Sequence, residues 1–294
     1  MLKIKGPVLL ACNHPNSFLD SVILDTLFQQ PIWSLARGDV FKKPFYIRLL
    51  TALKILPVYR TSEGVENLSN NYKTFDACIN IFRKNGVITI FSEGKCINEW
   101  HLRPLKKGTA RLSIKAWEEN IPLQVLPVGI NYSSFSRFGK NIFLNFGTPI
   151  KKEDINFDEA DGLRHQSFNT KLQQQLETLV FEIPKQEKLE QEKLLELKPS
   201  LLKKLLLVIP AAFGYLIHLP LYIPVKQFTW KRTHSNDHYD SVMTGILLFA
   251  YPLYILFLIS VLWIVSNYWW SISFLLILPF TAWSYVQLKP QLDK

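Results

Sequence analysis

The sequence predicts an α/β layer fold for residues 1–185, followed by a charged linker at 186–204 and a helical, membrane-associated region at 205–294. Short apolar runs typical of buried strands alternate with helical segments in the first part. Charges of both signs alternate over 187–198, which is typical of an exposed helix or linker. Residues 241–288 contain no charged side chain, and this block is long enough for two helices across a bilayer.

The elements of the domain follow from local signals. Strands are predicted where apolar, β-rich runs end at turn residues, namely at 7–12, 32–36, 54–59, 87–91, 123–130 and 142–146. Helices are predicted at 17–27, 64–83, 108–119 and 168–181. Asn16 or Ser17 can cap the first of these helices, and Asn85-Gly86 can end the second in a left-handed turn.

The uncharged block predicts a transmembrane hairpin with spans at about 243–265 and 268–287 and a turn at Ser266-Asn267. Segment 205–225 is also apolar, but its three prolines argue against a straight crossing. We expect it to be kinked, interfacial or re-entrant and to stay on the cytoplasmic face. Because the hairpin turn is uncharged, both outer ends should be cytoplasmic, where cations flank the hairpin: Lys226, Lys231, Arg232, Lys289 and Lys294.

The overall composition favours a membrane surface as the partner. The net charge of +10 suits nucleic acid or anionic lipid, and no nucleic-acid signature accompanies it. The three cysteines, at irregular spacing, predict neither a disulfide framework nor a zinc site and fit a reducing compartment. The N-terminal apolar run is too short for a signal peptide, so we expect the C-terminal region to hold the chain at the membrane.

The segment HPNSFLD, which follows the first predicted strand, pairs His14 with Asp20. On one regular helix these residues would face apart, but they can meet if His14 precedes the helix and Asp20 lies inside it. Asp20 would then accept a hydrogen bond from one ring nitrogen and leave the other as a base. A helix-capping loop with a satisfied histidine is the competing interpretation.

Three later segments carry candidate binding residues at strand ends. Arg60 enters a polar loop after a strand, where a guanidinium can bind phosphate. Glu93 and Gly94 follow a buried strand, so Glu93 could bind an acceptor hydroxyl or organise the loop. Lys107 belongs to a basic group around the start of a predicted helix, which attracts phosphate or anionic headgroups; its other members are Arg103, Lys106 and Arg111.

The order of these segments resembles the PlsC-like glycerolipid acyltransferases. The matching pieces, within about residues 6–150, are Asn13-His14 with Asp20, then Val58-Tyr59-Arg60, Phe91-Ser92-Glu93-Gly94 and Val125-Leu126-Pro127-Val128. Three features depart from the family pattern: five residues separate His14 from Asp20 instead of four, Lys95 replaces the usual threonine, and few residues precede the histidine. We expect the last feature to reflect either a compact variant or a start codon assigned too late.

The resemblance implies a mixed sheet flanked by helices and acyl transfer from acyl-CoA or acyl carrier protein to a glycerol-phosphate or lysophospholipid hydroxyl. It implies that His14 is the base and that Asp20 orients it. Arg60, Glu93, Gly94 and Lys107 would bind the acceptor, with no cofactor beyond the acyl thioester. Membrane lipid and the acyl carrier are the implied partners, and the catalytic domain would be cytoplasmic on a membrane protein that is multi-pass or anchored by the hairpin.

Three alternatives remain open at the level of sequence. Cys12 and His14 would share a face of an extended strand, as a Cys/His thioesterase would need. A non-catalytic lipid-binding protein of the same fold would retain the residues without the geometry. A metal hydrolase using His14, Asp20, Glu93 and His101 is disfavoured, since no pair of these residues has a recognised metal spacing, and no metal is expected.

Overall fold

The computed structural model describes residues 3, 5–59 and 68–292 of the chain. Its contacts divide the chain into two compact units. Unit 1 comprises Met1–Asn131 and Phe143–Pro184, and unit 2 comprises Tyr132–Ile142 and Lys185–Lys294.

A six-stranded sheet in the order β3-β2-β4-β1-β5-β6 forms the centre of the α/β fold. Its strands are β1 (Val8–Cys12), β2 (Ile32–Arg37), β3 (Ile55–Val58), β4 (Val87–Phe91), β5 (Gln124–Tyr132) and β6 (Ile142–Phe146). The pairs β1–β4, β1–β5, β2–β3 and β2–β4 are parallel. The backbone bonds from Gly147 to Pro127 and from Ser133 to Asn141 make β6 antiparallel to β5. The expected mixed sheet is therefore confirmed.

Helices flank this sheet, as predicted. They are α1 (Phe18–Leu27), α2 (Pro44–Ala52), α3 (Leu68–Arg83), α4 (Lys107–Glu118) and α5 (Asp161–Leu179), and a 3-10 turn, Gly38–Phe41, precedes α2. The predicted helix 64–83 is present from residue 68, and its first residues lie outside the described ranges. Asn85 has φ 57°, and the Gly86 amide donates to the Ile81 carbonyl, so the predicted left-handed cap of α3 is confirmed. The sequence interpretation missed α2.

The core of unit 1 is assembled from the inner faces of the strands and helices. Leu9 and Ile88 of the central strands pack in one apolar cluster with Trp117 of α4 and Phe168 of α5, all with almost no exposed surface. The indole of Trp117 stays satisfied because its N–H donates to the Leu123 carbonyl at 2.9 Å. The polar residues that follow β1 and β4 therefore lie at the ends of strands that are closely packed in this core.

Unit 2 is mainly helical, with α6 (Lys188–Leu195), α7 (Leu201–Thr233), α8 (Tyr239–Ser266), a 3-10 turn (Trp269–Ser273) and α9 (Phe274–Leu288). Three helical segments in the described part of the chain are long and apolar enough to cross a membrane: Leu201–Thr233, Tyr239–Ser266 and Trp269–Leu288. The last two correspond to the predicted hairpin, and Asn267 ends α8 with φ 55°.

The first of these segments, which was expected to be kinked, interfacial or re-entrant, is one continuous helix. Helix α7 runs through Pro210, Pro220 and Pro224 without ending. Partners on neighbouring helices support this backbone: the Tyr254 hydroxyl donates to the Ile217 carbonyl at 2.6 Å. At Gly214 a side chain is excluded, because a Cβ there would lie 2.1 Å from the Thr281 carbonyl oxygen of α9. The expected position of this segment at the cytoplasmic face stays a prediction.

Candidate active site

His14 and Asp20 are brought together by a tight loop between β1 and α1. The Nδ1 atom of His14 lies 2.8 Å from Oδ2 of Asp20, which is fully buried in the first turn of α1. The same oxygen accepts a hydrogen bond from the Asn16 amide at 2.8 Å. Ser17 has φ 52°, an uncommon value that lets the loop turn sharply before the helix. The loop therefore accommodates five residues between the pair, and the pairing predicted from the sequence is present.

The imidazole ring of His14 is held in one orientation. Its face stacks on Phe91 at the end of β4, with ring centroids 4.0 Å apart and an interplanar angle of 13°. The side chain is 17% exposed, so solvent or a substrate can reach it. Within the described ranges, no hydrogen-bond partner engages Nε2 of His14. This arrangement leaves Nε2 as the atom that can take a proton from a substrate.

Glu93 connects the histidine loop to the segment before α4. Its carboxylate accepts hydrogen bonds from the backbone N–H of His14 at 2.7 Å and of Arg103 at 2.9 Å. Burial raises the pKa of Glu93, and the two backbone bonds and the nearby His14 and Arg103 partly oppose this rise. Of the two roles considered for Glu93, the contacts favour organising the loop; acceptor binding stays a prediction.

The turn after β4 is closely packed. Gly94 has φ 67°, and a Cβ there would lie 3.0 Å from Cγ of Lys106, which explains the glycine. The Lys106 amide donates to the Ser92 carbonyl at 2.7 Å, and Thr109 donates from its hydroxyl to that of Ser92 at 3.0 Å. These bonds place the start of α4 beside the Glu93 turn.

The basic residues are only partly assembled. Lys107 is the first residue of α4, and its side chain is exposed. No hydrogen bond or ion pair joins it to His14, Asp20 or Glu93 in the part of the chain that the structure describes. Arg103 forms an ion pair with Glu99 at 2.5 Å. Arg60 lies outside the described residues.

Several supporting residues had no predicted role. The Asn13 side chain donates to the Ile130 carbonyl at 3.0 Å and accepts from the Ile130 amide at 2.7 Å, which ties the end of β1 to β5. Cys96 accepts a bond from the Ser17 amide through its sulfur at 2.9 Å. Asn13 could have been suspected, since it directly follows an apolar strand. The stacking of Phe91 on His14 had no sequence signal, because the two residues are distant in the chain.

The thiol of Cys12 is poorly suited to nucleophilic attack. It is fully buried at the end of β1, and burial raises its pKa well above the ordinary value, with the negative charge of Asp20 adding to the effect. The side chain of His101 hydrogen-bonds Glu182 at 2.7 Å on an exposed surface. Among the described residues, no three His, Cys, Asp or Glu side chains are grouped as metal ligands would be.

Comparison with known proteins agrees with this geometry. Residues 1–131 match the family model described as Acyltransferase, while no curated protein matches the chain. The matched region contains His14, Asp20, Glu93 and Lys107. Residues 1–131 of the chain therefore carry an acyltransferase domain of the PlsC-like glycerolipid type, and this domain supports an acyltransferase enzyme.

Proposed function

We propose that this protein transfers a fatty acyl group from acyl-CoA or acyl carrier protein to a hydroxyl of glycerol phosphate or a lysophospholipid, as a step of phospholipid biosynthesis. The observation that carries the proposal is the ring of His14, bonded to buried Asp20 through Nδ1 and stacked on Phe91. This pair lies within the region that matches the acyltransferase family. The reaction takes place at the cytoplasmic face of a membrane, and the apolar helices of unit 2 anchor the chain in that membrane.

The chemistry needs one base and no protein nucleophile. Nε2 of His14 removes the proton of the acceptor hydroxyl as its oxygen attacks the thioester carbonyl carbon. Asp20 keeps the Nδ1–H tautomer and stabilises the imidazolium that forms. When the tetrahedral intermediate collapses, the carbon–sulfur bond breaks and the imidazolium proton passes to the departing thiolate. The products are the acyl ester and the free thiol of the carrier.

The acceptor phosphate is assigned to the start of α4 and to Arg60. Lys107 supplies a cation there, and the first amides of a helix favour an anion. Glu93 and Gly94 form the turn that borders this region, with the Glu93 carboxylate already holding two backbone amides. Arg60 is included because a guanidinium binds phosphate in a bidentate manner.

The decisive experiment is an acyl-transfer assay of the full chain in membranes, with each acceptor tested against both donor types. Acceptors should include glycerol 3-phosphate, lysophosphatidic acid and a lysolipid without a terminal phosphate. Lys107→Ala and Arg60→Ala should raise KM for a phosphorylated acceptor more than KM for the acyl donor. An equal rise for both substrates would mean that these residues act on the structure in general, and no transfer to any acceptor would refute the proposed reaction.

Hydrolysis by a Cys/His thioesterase has less support. Such an enzyme needs a reactive thiolate, whereas the Cys12 thiol is buried and its pKa is raised. A non-catalytic lipid-binding protein needs no ordered base, yet Asp20 and Phe91 both constrain His14. In the acyl-transfer assay, neither a thioesterase nor a non-catalytic lipid-binding protein would form the acylated acceptor.

A further inference from the structure

Helix α2 in unit 1 has an unusual surface. None of its nine residues is buried, although most of them are apolar. Phe45 is 69% exposed, Leu49 44%, and Leu53, directly after the helix, 57%. In most soluble domains such a helix buries one face, since exposed apolar surface is unfavourable in water. Something outside the described part of unit 1 is therefore expected to cover it.

Three of the exposed apolar residues form one stripe, while Tyr46 and Ile47 are exposed on other sides of the helix. Phe45, Leu49 and Leu53 are spaced by four residues, so successive members are offset by only about 40° around the helix. Leu50 points to a different side and is half-buried. The half-buried side chain of Leu50 thus lies off the stripe of Phe45, Leu49 and Leu53.

Cations border this stripe. Lys42 and Lys43 lie just before the helix and Arg48 lies within it, and all three are exposed. The nearby carboxylate, Asp39, is already paired with Arg37. A helix that combines an exposed apolar stripe with exposed cations is typical of segments that lie in the interface of an anionic bilayer.

The start of α2 lies at the same edge of the sheet as the candidate active site. Strands β1, β2 and β4 are parallel, so their carboxyl ends share one edge. His14 follows β1 and Glu93 follows β4, while the chain leaving β2 leads through a 3-10 turn to α2. Since β4 lies between β1 and β2, the ends of β1 and β2 are about 10 Å apart.

We propose that α2 inserts its stripe of Phe45, Leu49 and Leu53 among the acyl chains of an anionic bilayer, while Lys42, Lys43 and Arg48 contact the headgroup phosphates. This brings the edge of the sheet that carries His14 to the membrane surface. A lipid with one or two acyl chains then reaches His14 without passing through water. The occupant is lipid because the same chain carries helices apolar enough to span a membrane. The inference concerns how unit 1 meets the bilayer and does not depend on acyl transfer.

The test places a fluorophore on the stripe of the full chain in liposomes containing phosphatidylglycerol. In a Cys96→Ala background the remaining cysteines, Cys12 and Cys78, are fully buried. An environment-sensitive dye is attached at Leu49→Cys, and the matched control is Leu163→Cys, a leucine of α5 that is 54% exposed. Quenchers are a phospholipid with a nitroxide on its acyl chain and aqueous iodide.

We expect the nitroxide lipid to quench the dye at position 49 and iodide to leave it largely unaffected, with the reverse pattern at position 163. Quenching of both positions by iodide alone would overturn the proposal. Protection of position 49 from both quenchers would also overturn it, because that result means that protein, such as a second copy of the chain, covers the stripe.

The unmodified chain gives a second readout by hydrogen exchange: the peptide 42–54 should exchange more slowly in anionic than in neutral nanodiscs, and equal rates would contradict the role of the cations.

Discussion

Replacement of His14 by alanine tests the proposed chemistry most directly. The variant removes the Nε2 base and leaves Asp20 with its bond from the Asn16 amide. General acid–base catalysis contributes typically about 10²–10⁴-fold, so we expect kcat/KM to fall by at least about 100-fold. This corresponds to about 2.7 kcal/mol of lost transition-state stabilisation, at 1.36 kcal/mol for each factor of ten.

The same substitution also has a cost for folding, and the structure sets its scale. The lost contacts are one hydrogen bond to a buried carboxylate and one stacked ring pair. Bonds to charged groups contribute about 1.5–3 kcal/mol, and aromatic pairs contribute about 0.5–1.5 kcal/mol. A decrease in activity could therefore come from unfolding, and the assay must separate the two effects.

Phe91→Leu is the matched control, because it removes the stacked ring and keeps the base. We expect less than a tenfold loss for this variant, measured with folded fractions determined by thermal unfolding in the same membranes. Added imidazole should restore part of the activity of His14→Ala, since the His14 side chain is accessible to solvent. Near-normal turnover by a folded His14→Ala protein would refute the assignment of His14 as the base.

Three other predictions address the rival nucleophile, the Glu93 bridge and the topology. Cys12→Ala should keep most of the activity, whereas a covalent acyl-enzyme signal that disappears in this variant would favour a thioesterase. Burial raises the pKa of Glu93, so the folded state holds its proton to higher pH than the unfolded chain does, and stability attributable to Glu93 falls as pH rises. Thermal unfolding across roughly pH 4–8 should show this dependence in the wild type but weaker in Glu93→Gln; identical slopes would contradict it. Because the cations flank the hairpin on its outer ends, cysteine labels at residues 190 and 235 should be equally accessible in intact cells, and opposite accessibility would mean that α7 spans the membrane.

The extent of the sequence prediction is clearest at the active site. The spacing of His14 and Asp20 allowed a contact only if the residues lay on either side of a helix start, and the structure has this arrangement. The roles of Arg60 and Lys107 stay predictions, because Arg60 lies outside the described residues and Lys107 makes no bond to the histidine pair there. Helix α2 escaped prediction because the pattern with apolar residues on almost all sides does not match the stripe of a helix buried in a core.

The sequence by itself determined the order of the six strands and of the helices of unit 1 other than α2, the left-handed cap at Asn85 and the extent of the two last apolar helices. Each of these depends on residues close together in the chain, such as a turn or an uninterrupted apolar run. Only the tertiary structure decided that Phe91 stacks on His14 and that Asn13 joins β1 to β5. It also decided that the Glu93 carboxylate accepts hydrogen bonds from the backbone N–H groups of both His14 and Arg103. These contacts join residues that are distant in sequence, and they form because parallel strands end at one edge of the sheet, a pairing that local patterns do not specify.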